Sequence, residues 1–205
     1  MLNKLKKFSL FIILGSILLV YNSTIICLQT DDEYIYDFEL WLNEGDTIKT
    51  KAFYINQFNL QFCVTTVDTA GNEKETFTPK DLKGFKYNNQ ASEVEFHSME
   101  NPNDMGRLFL RIVYKGEYSL YQFLEINLHS TVLSFTALYY LWNNGWLRPP
   151  ISKTFEKESL LEHFSDCPEL EYKIKKGQYG YSNLNEIMSE YENCELTDEY
   201  EFILE

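Results

Sequence analysis

Between residues 33 and 151 the chain repeats one pattern. Short runs in which aromatic or β-branched residues alternate with polar ones are each closed by a cluster of turn formers. A period of two is that of a strand with one buried face, so this stretch cannot be a helical bundle. Tyr34, Tyr36, Phe38, Leu40 and Leu42 set the first run, and Asn43-Glu44-Gly45-Asp46 turns it into a second, Thr47 to Ile55. Leu60 to Val67 is expected to pair with Glu73 to Thr78 across Thr69-Ala70-Gly71-Asn72.

Thr78 to Leu82 reads as a turn leading to a short strand around Phe85 and Tyr87, followed by a strand at Glu93 to Ser98 and a loop at Asn101 to Asp104. Arg107 to Tyr114 and Glu117 to Ile126 are separated only by Lys115-Gly116, which predicts a tight antiparallel hairpin. Asn144-Gly145, between Leu138 to Trp142 and Trp146 to Ile151, predicts another. About eight to ten short strands at this spacing point to an antiparallel barrel or sandwich over residues 31–151.

After Pro149-Pro150 the apolar period becomes helical. Thr154 is placed to cap a helix carrying Leu160, Leu161 and Phe164. Asp166, with Pro168 and Glu169 behind it, is placed to start a second that ends at Gly177. Ser182 is placed to cap a third, with Leu184, Ile187, Met188 and Tyr191 on one face. Residues 152–194 thus read as a helical appendage of about three short helices, and 195–205 as an acidic tail. Helices this short need a partner for their apolar stripe, and a face or open end of the sheet is the one available.

The N-terminus carries an address. Lys4, Lys6 and Lys7 precede Phe8 to Tyr21, fourteen residues without a charge, the order of a signal segment over residues 1–28. Three fates fit: cleavage, lipidation at Cys27, or retention of Phe8 to Leu28 as an anchor. Those twenty-one residues are long enough to span a bilayer, although Asn22, Ser23 and Thr24 interrupt them and Ile26 is bulky where lipidation prefers a small residue. Export places the protein in the periplasm or at the cell surface, with membrane contact only through this segment. The 205 residues carry 31 Asp and Glu against 18 Lys and Arg, a formal charge of −13. That balance argues against nucleic acid as a partner.

Several segments resemble a family of uncharacterised exported proteins of Bacteroidetes. They are Gly45-Asp46-Thr47-Ile48, Phe77-Thr78-Pro79-Lys80-Asp81-Leu82-Lys83-Gly84-Phe85, Phe164 to Leu170 with its Asp-Cys-Pro, and Tyr191 to Cys194. The resemblance implies an exported protein with a β-then-helical layout and no activity to assign to any residue.

Export favours oxidised cysteines. Cys167 opens the second predicted helix and Cys194 closes the third, so a helical hairpin would join them; closing a loop of about 26 residues contributes roughly 3 kcal/mol. Cys63, flanked by Phe62 and Val64 on a strand, reads as a small core residue.

Catalytic patterns are scarce. His97, His129 and His163 show no metal-ligand spacing, and there is no Gly-x-Ser-x-Gly elbow or phosphate loop, so no cofactor and no metal are expected. Pairs such as Glu93 and Glu95, or Asp31, Asp32 and Glu33, need geometry before they mean anything. Glu190, Glu192, Glu195, Asp198, Glu199, Glu201 and Glu205 read as a solubilising tail. Tyr139, Tyr140, Trp142 and Trp146 around the Asn-Gly turn are the candidate ligand platform, for a glycan or a protein, although cross-strand packing accounts for the same residues. Two functions stay open: a non-catalytic binding or structural module of the envelope, and a hydrolase of polysaccharide or envelope polymer acting through paired carboxylates.

Overall fold

The computed structural model describes residues 34–194 apart from 55, 90–91, 101–105, 127–133, 144, 152 and 154, with the Trp146 side chain also outside it. The signal segment with Cys27, the loop at Asn101 to Asp104, the cap position Thr154, His129 and residues 195–205 lie outside the described residues.

The chain is mainly β, with a small helical part at its C-terminal end. Ten antiparallel strands form one sheet: β1 (Tyr34–Leu42), β2 (Thr47–Tyr54), β3 (Val64–Val67), β4 (Glu73–Phe77), β5 (Leu82–Asn89), β6 (Ser92–Glu100), β7 (Arg107–Tyr114), β8 (Ser119–Ile126), β9 (Phe135–Asn143) and β10 (Trp146–Leu147). Their order is β10-β9-β8-β7-β6-β5-β1-β2-β3-β4. Among the described residues no pairing joins β4 to β10, so the sheet is open and the barrel alternative is set aside.

Chain length forces this sheet to roll. In a flat sheet β4 would lie four strand spacings, about 19 Å, from β5, and the end of β4 would sit a further ~25 Å along the strand direction from the start of β5. Five residue steps from Phe77 to Leu82 reach about 17 Å at most. The β5-β1-β2-β3-β4 half must therefore curl until its two sides meet. Contacts at the closure agree: the Asn43 side chain in the β1–β2 turn donates to the Lys80 carbonyl at 2.5 Å, and the Ser98 hydroxyl of β6 donates to the Pro79 carbonyl. Asp81 holds the connection by accepting from the Thr78 amide and hydroxyl, both at 2.7 Å.

Rolling gives the sheet an inner and an outer face. The inner face of the curled half buries Phe38, Leu40, Ala52, Val64, Phe77, Phe85, Tyr87, Val94, Phe96 and Phe109. On β8 and β9 that same face, with Leu120 and Leu141, receives the helices α2 (Glu156–Phe164), α3 (Pro168–Lys175) and α4 (Leu184–Glu192). Leu160, Phe164, Leu170, Ile174, Ile187, Met188 and Tyr191 bury their stripe there, so the partner the apolar face required is the sheet. Tyr114 of β7 fastens the end of α4 by donating to Glu192 at 2.8 Å. A separate cluster on the outer face holds Leu108, Leu110, Tyr121, Phe123 and Tyr140.

Some expected boundaries move. Leu60 does not begin a strand: Asn56 accepts from the Asn59 amide at 2.9 Å and caps a single turn, α1 (Gln57–Leu60), because a side-chain cap outcompetes the alternation that continues through it. β7 and β8 are joined by four residues, with a register shift beside Tyr114, and not by the two-residue hairpin. At the helices, Cys167 and not Asp166 stands at the start of α3, with Pro168 in its first turn. Asp166 instead accepts from the buried Tyr191 hydroxyl at 2.7 Å. Ser182 falls within a 3-10 turn, Tyr181–Asn183, and does not cap α4. Gly177 does end α3, with φ of 69° and the Gln178 amide bonded to the Lys173 carbonyl.

Gln61 was invisible as a structural residue in the sequence. β7 and β8 pair only from Arg111 and Gln122 onward, and beyond that point they splay. Gln61, 1% exposed, fills the gap: its carbonyl accepts from the Phe109 amide at 2.9 Å, and its side chain both donates to the Leu124 carbonyl at 3.0 Å and accepts from the Leu124 amide. One side-chain amide thus replaces the missing rung of the ladder.

Candidate functional site

On the outer face of β2, β1, β5 and β6 the strand register interleaves opposite charges. It sets Asp37 opposite Lys51, Glu39 opposite Lys49 and Lys86, Lys86 opposite Glu95, and Asn88 opposite Glu93. All of these but Glu95 line an open groove of about 480 Å³. Lys86 reaches Glu93 at 3.0 Å, and that bond, with Glu39 nearby, raises the ammonium above its usual range. Lys49 lies 3.9 Å from Glu39. Exposed pairs of this kind contribute little stability, so the lattice is open to exchange its partners for a ligand's.

Trp41 adjoins the groove through Glu39. It falls in the outward register of β1, where neighbours are polar, and its indole nitrogen donates to Glu39 at 3.1 Å. Its ring lies edge-on to His97, centroids 5.9 Å apart, above Gly84. A Cβ at Gly84 would run into the Phe96 carbonyl and press on the indole, so glycine is what lets the tryptophan lie flat here.

His97 is fixed from both sides. Nε2 lies 2.6 Å from Glu95 and Nδ1 2.8 Å from the Tyr121 hydroxyl. Lys115 adds a contact to Glu95 at 3.1 Å. Burial alone would raise the Glu95 carboxyl, but hydrogen bonds from His97 and Lys115 outweigh it and hold it below its usual value. An ionised Glu95 accepts, so in the neutral imidazole Nε2–H donates and Nδ1 accepts from Tyr121. Burial pushes the Tyr121 phenol up to about 12, and at 4% exposure it is a buttress beyond a ligand's reach.

The groups flagged from sequence scatter. Tyr139 and Tyr140 point to opposite faces: Tyr139 packs with the helices, ring against Tyr181, while Tyr140 is 1% exposed in the outer cluster. Trp142 packs against that outer cluster, and Trp146 pairs through its backbone with Asn143. The four do not form one platform. Glu93 and Glu95 share the outer face of β6, one held by Lys86 and the other by His97 and Lys115. Asp31, Asp32 and Glu33 lie outside the described residues.

Cys167 and Cys194 are joined by a disulfide with Cα atoms 6.0 Å apart. Cys63 is buried and disulfide-bonded too, which corrects its reading as simply a small core residue. No cysteine among the described residues is free. Glu190 and Glu192 are not tail residues: both lie on α4, Glu190 bound to Lys173 at 2.7 Å and Glu192 to Tyr114. Among the described residues no group of His, Cys, Asp or Glu is arranged to hold a metal, and no helix is long and apolar enough to cross a membrane.

Trp41 was missed, yet its phase was readable: an indole in the polar register of an otherwise alternating strand. No protein-family model, no curated protein and no solved structure matches the chain.

Proposed function

We propose that the protein is an exported, envelope-associated, non-catalytic binding module that takes a glycan on the outer face of β1, β2, β5 and β6. The groove of about 480 Å³ carries this proposal. Its lining alternates donors and acceptors, Asp37, Glu39, Lys49, Lys51, Lys86, Asn88 and Glu93, and the indole of Trp41 is anchored beside it on Glu39. Sugars ask for that combination, hydroxyl-matching polar groups beside an aromatic surface. Hydrolysis would ask for something else, a carboxyl raised to act as an acid near neutral pH, and Glu95 is displaced the other way.

Export rests on Lys4, Lys6 and Lys7 ahead of Phe8 to Tyr21, on disulfide-bonded cysteines and on the resemblance to exported proteins of Bacteroidetes. Fractionating cells that express the chain and its Cys27→Ser variant tests the address. Recovery of both in the cytoplasm contradicts export, and unchanged partitioning of an exported variant removes lipidation. Binding is tested with envelope polysaccharide fragments on the protein and on Trp41→Ala with Lys86→Ala. Retention that the double variant loses supports the glycan site, whereas accumulation of reducing ends supports the hydrolase.

A further inference from the structure

The inner face holds a charge that no described residue neutralises. Arg111 stands on β7, opposite Phe96 on β6 and Gln122 on β8, in the apolar register that continues through Phe109. Although acidic residues far outnumber basic ones in the chain, Arg111 has no carboxylate partner among the described residues. Its described hydrogen bond runs from Nη1 to the neutral Gln57 side chain, at 3.3 Å. Arg111 Nε is buried with no partner.

Three tyrosines pack together on the same inner face. Ring centroids lie 5.4 Å apart for Tyr36 and Tyr54, 5.5 Å for Tyr54 and Tyr87, and 5.9 Å for Tyr36 and Tyr87. Tyr87 is 1% exposed, and its hydroxyl is also buried without a hydrogen bond of normal geometry. Burial raises both the Tyr54 and Tyr87 phenols; a hydrogen bond from Tyr87 pulls Tyr54 back, and the Arg111 charge lowers each, which puts the guanidinium within electrostatic reach of both. Tyr36, Tyr54, Gln57 and Arg111 are themselves only half-buried, so the cluster is reachable.

A guanidinium with an unpaired Nε–H, near a buried phenol whose O–H has only the neighbouring Tyr54 to turn to, is an unfavourable arrangement for an empty protein. The group that satisfies both is an oxyanion: it accepts in the plane of the guanidinium fork and from the hydroxyl at once. We infer that Arg111, Tyr87, Tyr54 and Gln57 form a binding site for a carboxylate or phosphate group, whose carrier packs on the tyrosine rings. This site is separate from the outer groove and stands or falls independently of it.

The test uses the exported chain, with inorganic phosphate and glucuronate each titrated at constant ionic strength against chloride. Binding is read by thermal shift and by the shift of the arginine Nε–H signals in a 15N spectrum. The expected result is a saturable response to one or both anions, weakened about tenfold or more in Arg111→Met. Tyr87→Phe removes only the hydroxyl and keeps the ring, so it is expected to fold and to weaken the response less. A response to glucuronate alone identifies a carboxylate ligand, and one to phosphate alone a phosphorylated one. If neither anion acts on the wild-type chain beyond chloride, or if Arg111→Met and Tyr87→Phe respond as the wild type does, the site is overturned.

Discussion

Single side chains carry much of this fold, and Gln61 is the clearest case. Its amide is the sole described partner of the Leu124 amide and carbonyl on the edge that β8 turns toward the splayed β7. Gln61→Leu leaves both groups unpaired away from water, at about 1–3 kcal/mol for each. Urea unfolding of that variant is expected to show a loss of about 2–6 kcal/mol. Gln61→Glu keeps the size but sets a carboxylate against the Leu124 carbonyl, so it is expected to recover none of the loss. His163 acts through charge. It is 3% exposed, its Nε2 has no partner, and burial lowers its pKa below 6.5. Because the unfolded chain takes up that proton first, the stability His163 contributes is present above pH 6.5 and is lost as pH falls below it. Unfolding free energies measured from pH 7 to 5 are expected to fall more steeply for the wild type than for His163→Leu. Equal slopes would remove His163 as the cause.

At the scale of elements, the strands were legible because alternation and turn chemistry agree wherever one face is buried. β1, β2, β4 and β7 lie within a residue or so of their expected bounds. Where a local side-chain bond competes with the pattern, the pattern misleads: Asn56 turns 57–60 into α1, and Asp166 is taken by Tyr191 and so is not a cap. The disulfide was readable because its two cysteines bracket a helical pair. Replacing Cys167 and Cys194 together with Ser is expected to cost roughly 3 kcal/mol. Hydrogen exchange should place the loss in α3 and α4 while β5 and β6 keep their protection. Gly84 tests the outer face as an element. In Gly84→Ala the new methyl meets the Phe96 backbone, which cannot yield as a side chain does, so a loss of about 1–3 kcal/mol is expected together with a changed Trp41 emission. An unchanged Trp41 environment would show that the indole does not rest on Gly84.

Over the whole molecule, the sequence announced a β-then-helical layout but not its curvature. Roll follows from pairings far apart in sequence, β1 with β5 and the short reach from Phe77 to Leu82, and alternation reports only which residues share a face. The candidate site was hidden for the same reason. Asp37, Lys51, Lys86 and Glu93 are ordinary surface residues one by one, and only the register makes them a groove, with Trp41 beside it on Glu39. The aromatic cluster near Asn144-Gly145 looked more promising and dissolved, because neighbours on a strand point to opposite faces. The most direct measurement is a 15N indole spectrum of the exported chain titrated with envelope polysaccharide fragments, with reducing ends assayed in the same tubes. A binding module predicts that the Trp41 indole signal shifts in a saturable way while no reducing ends appear. A Trp41 signal that stays fixed, or reducing ends that accumulate with time, would contradict it.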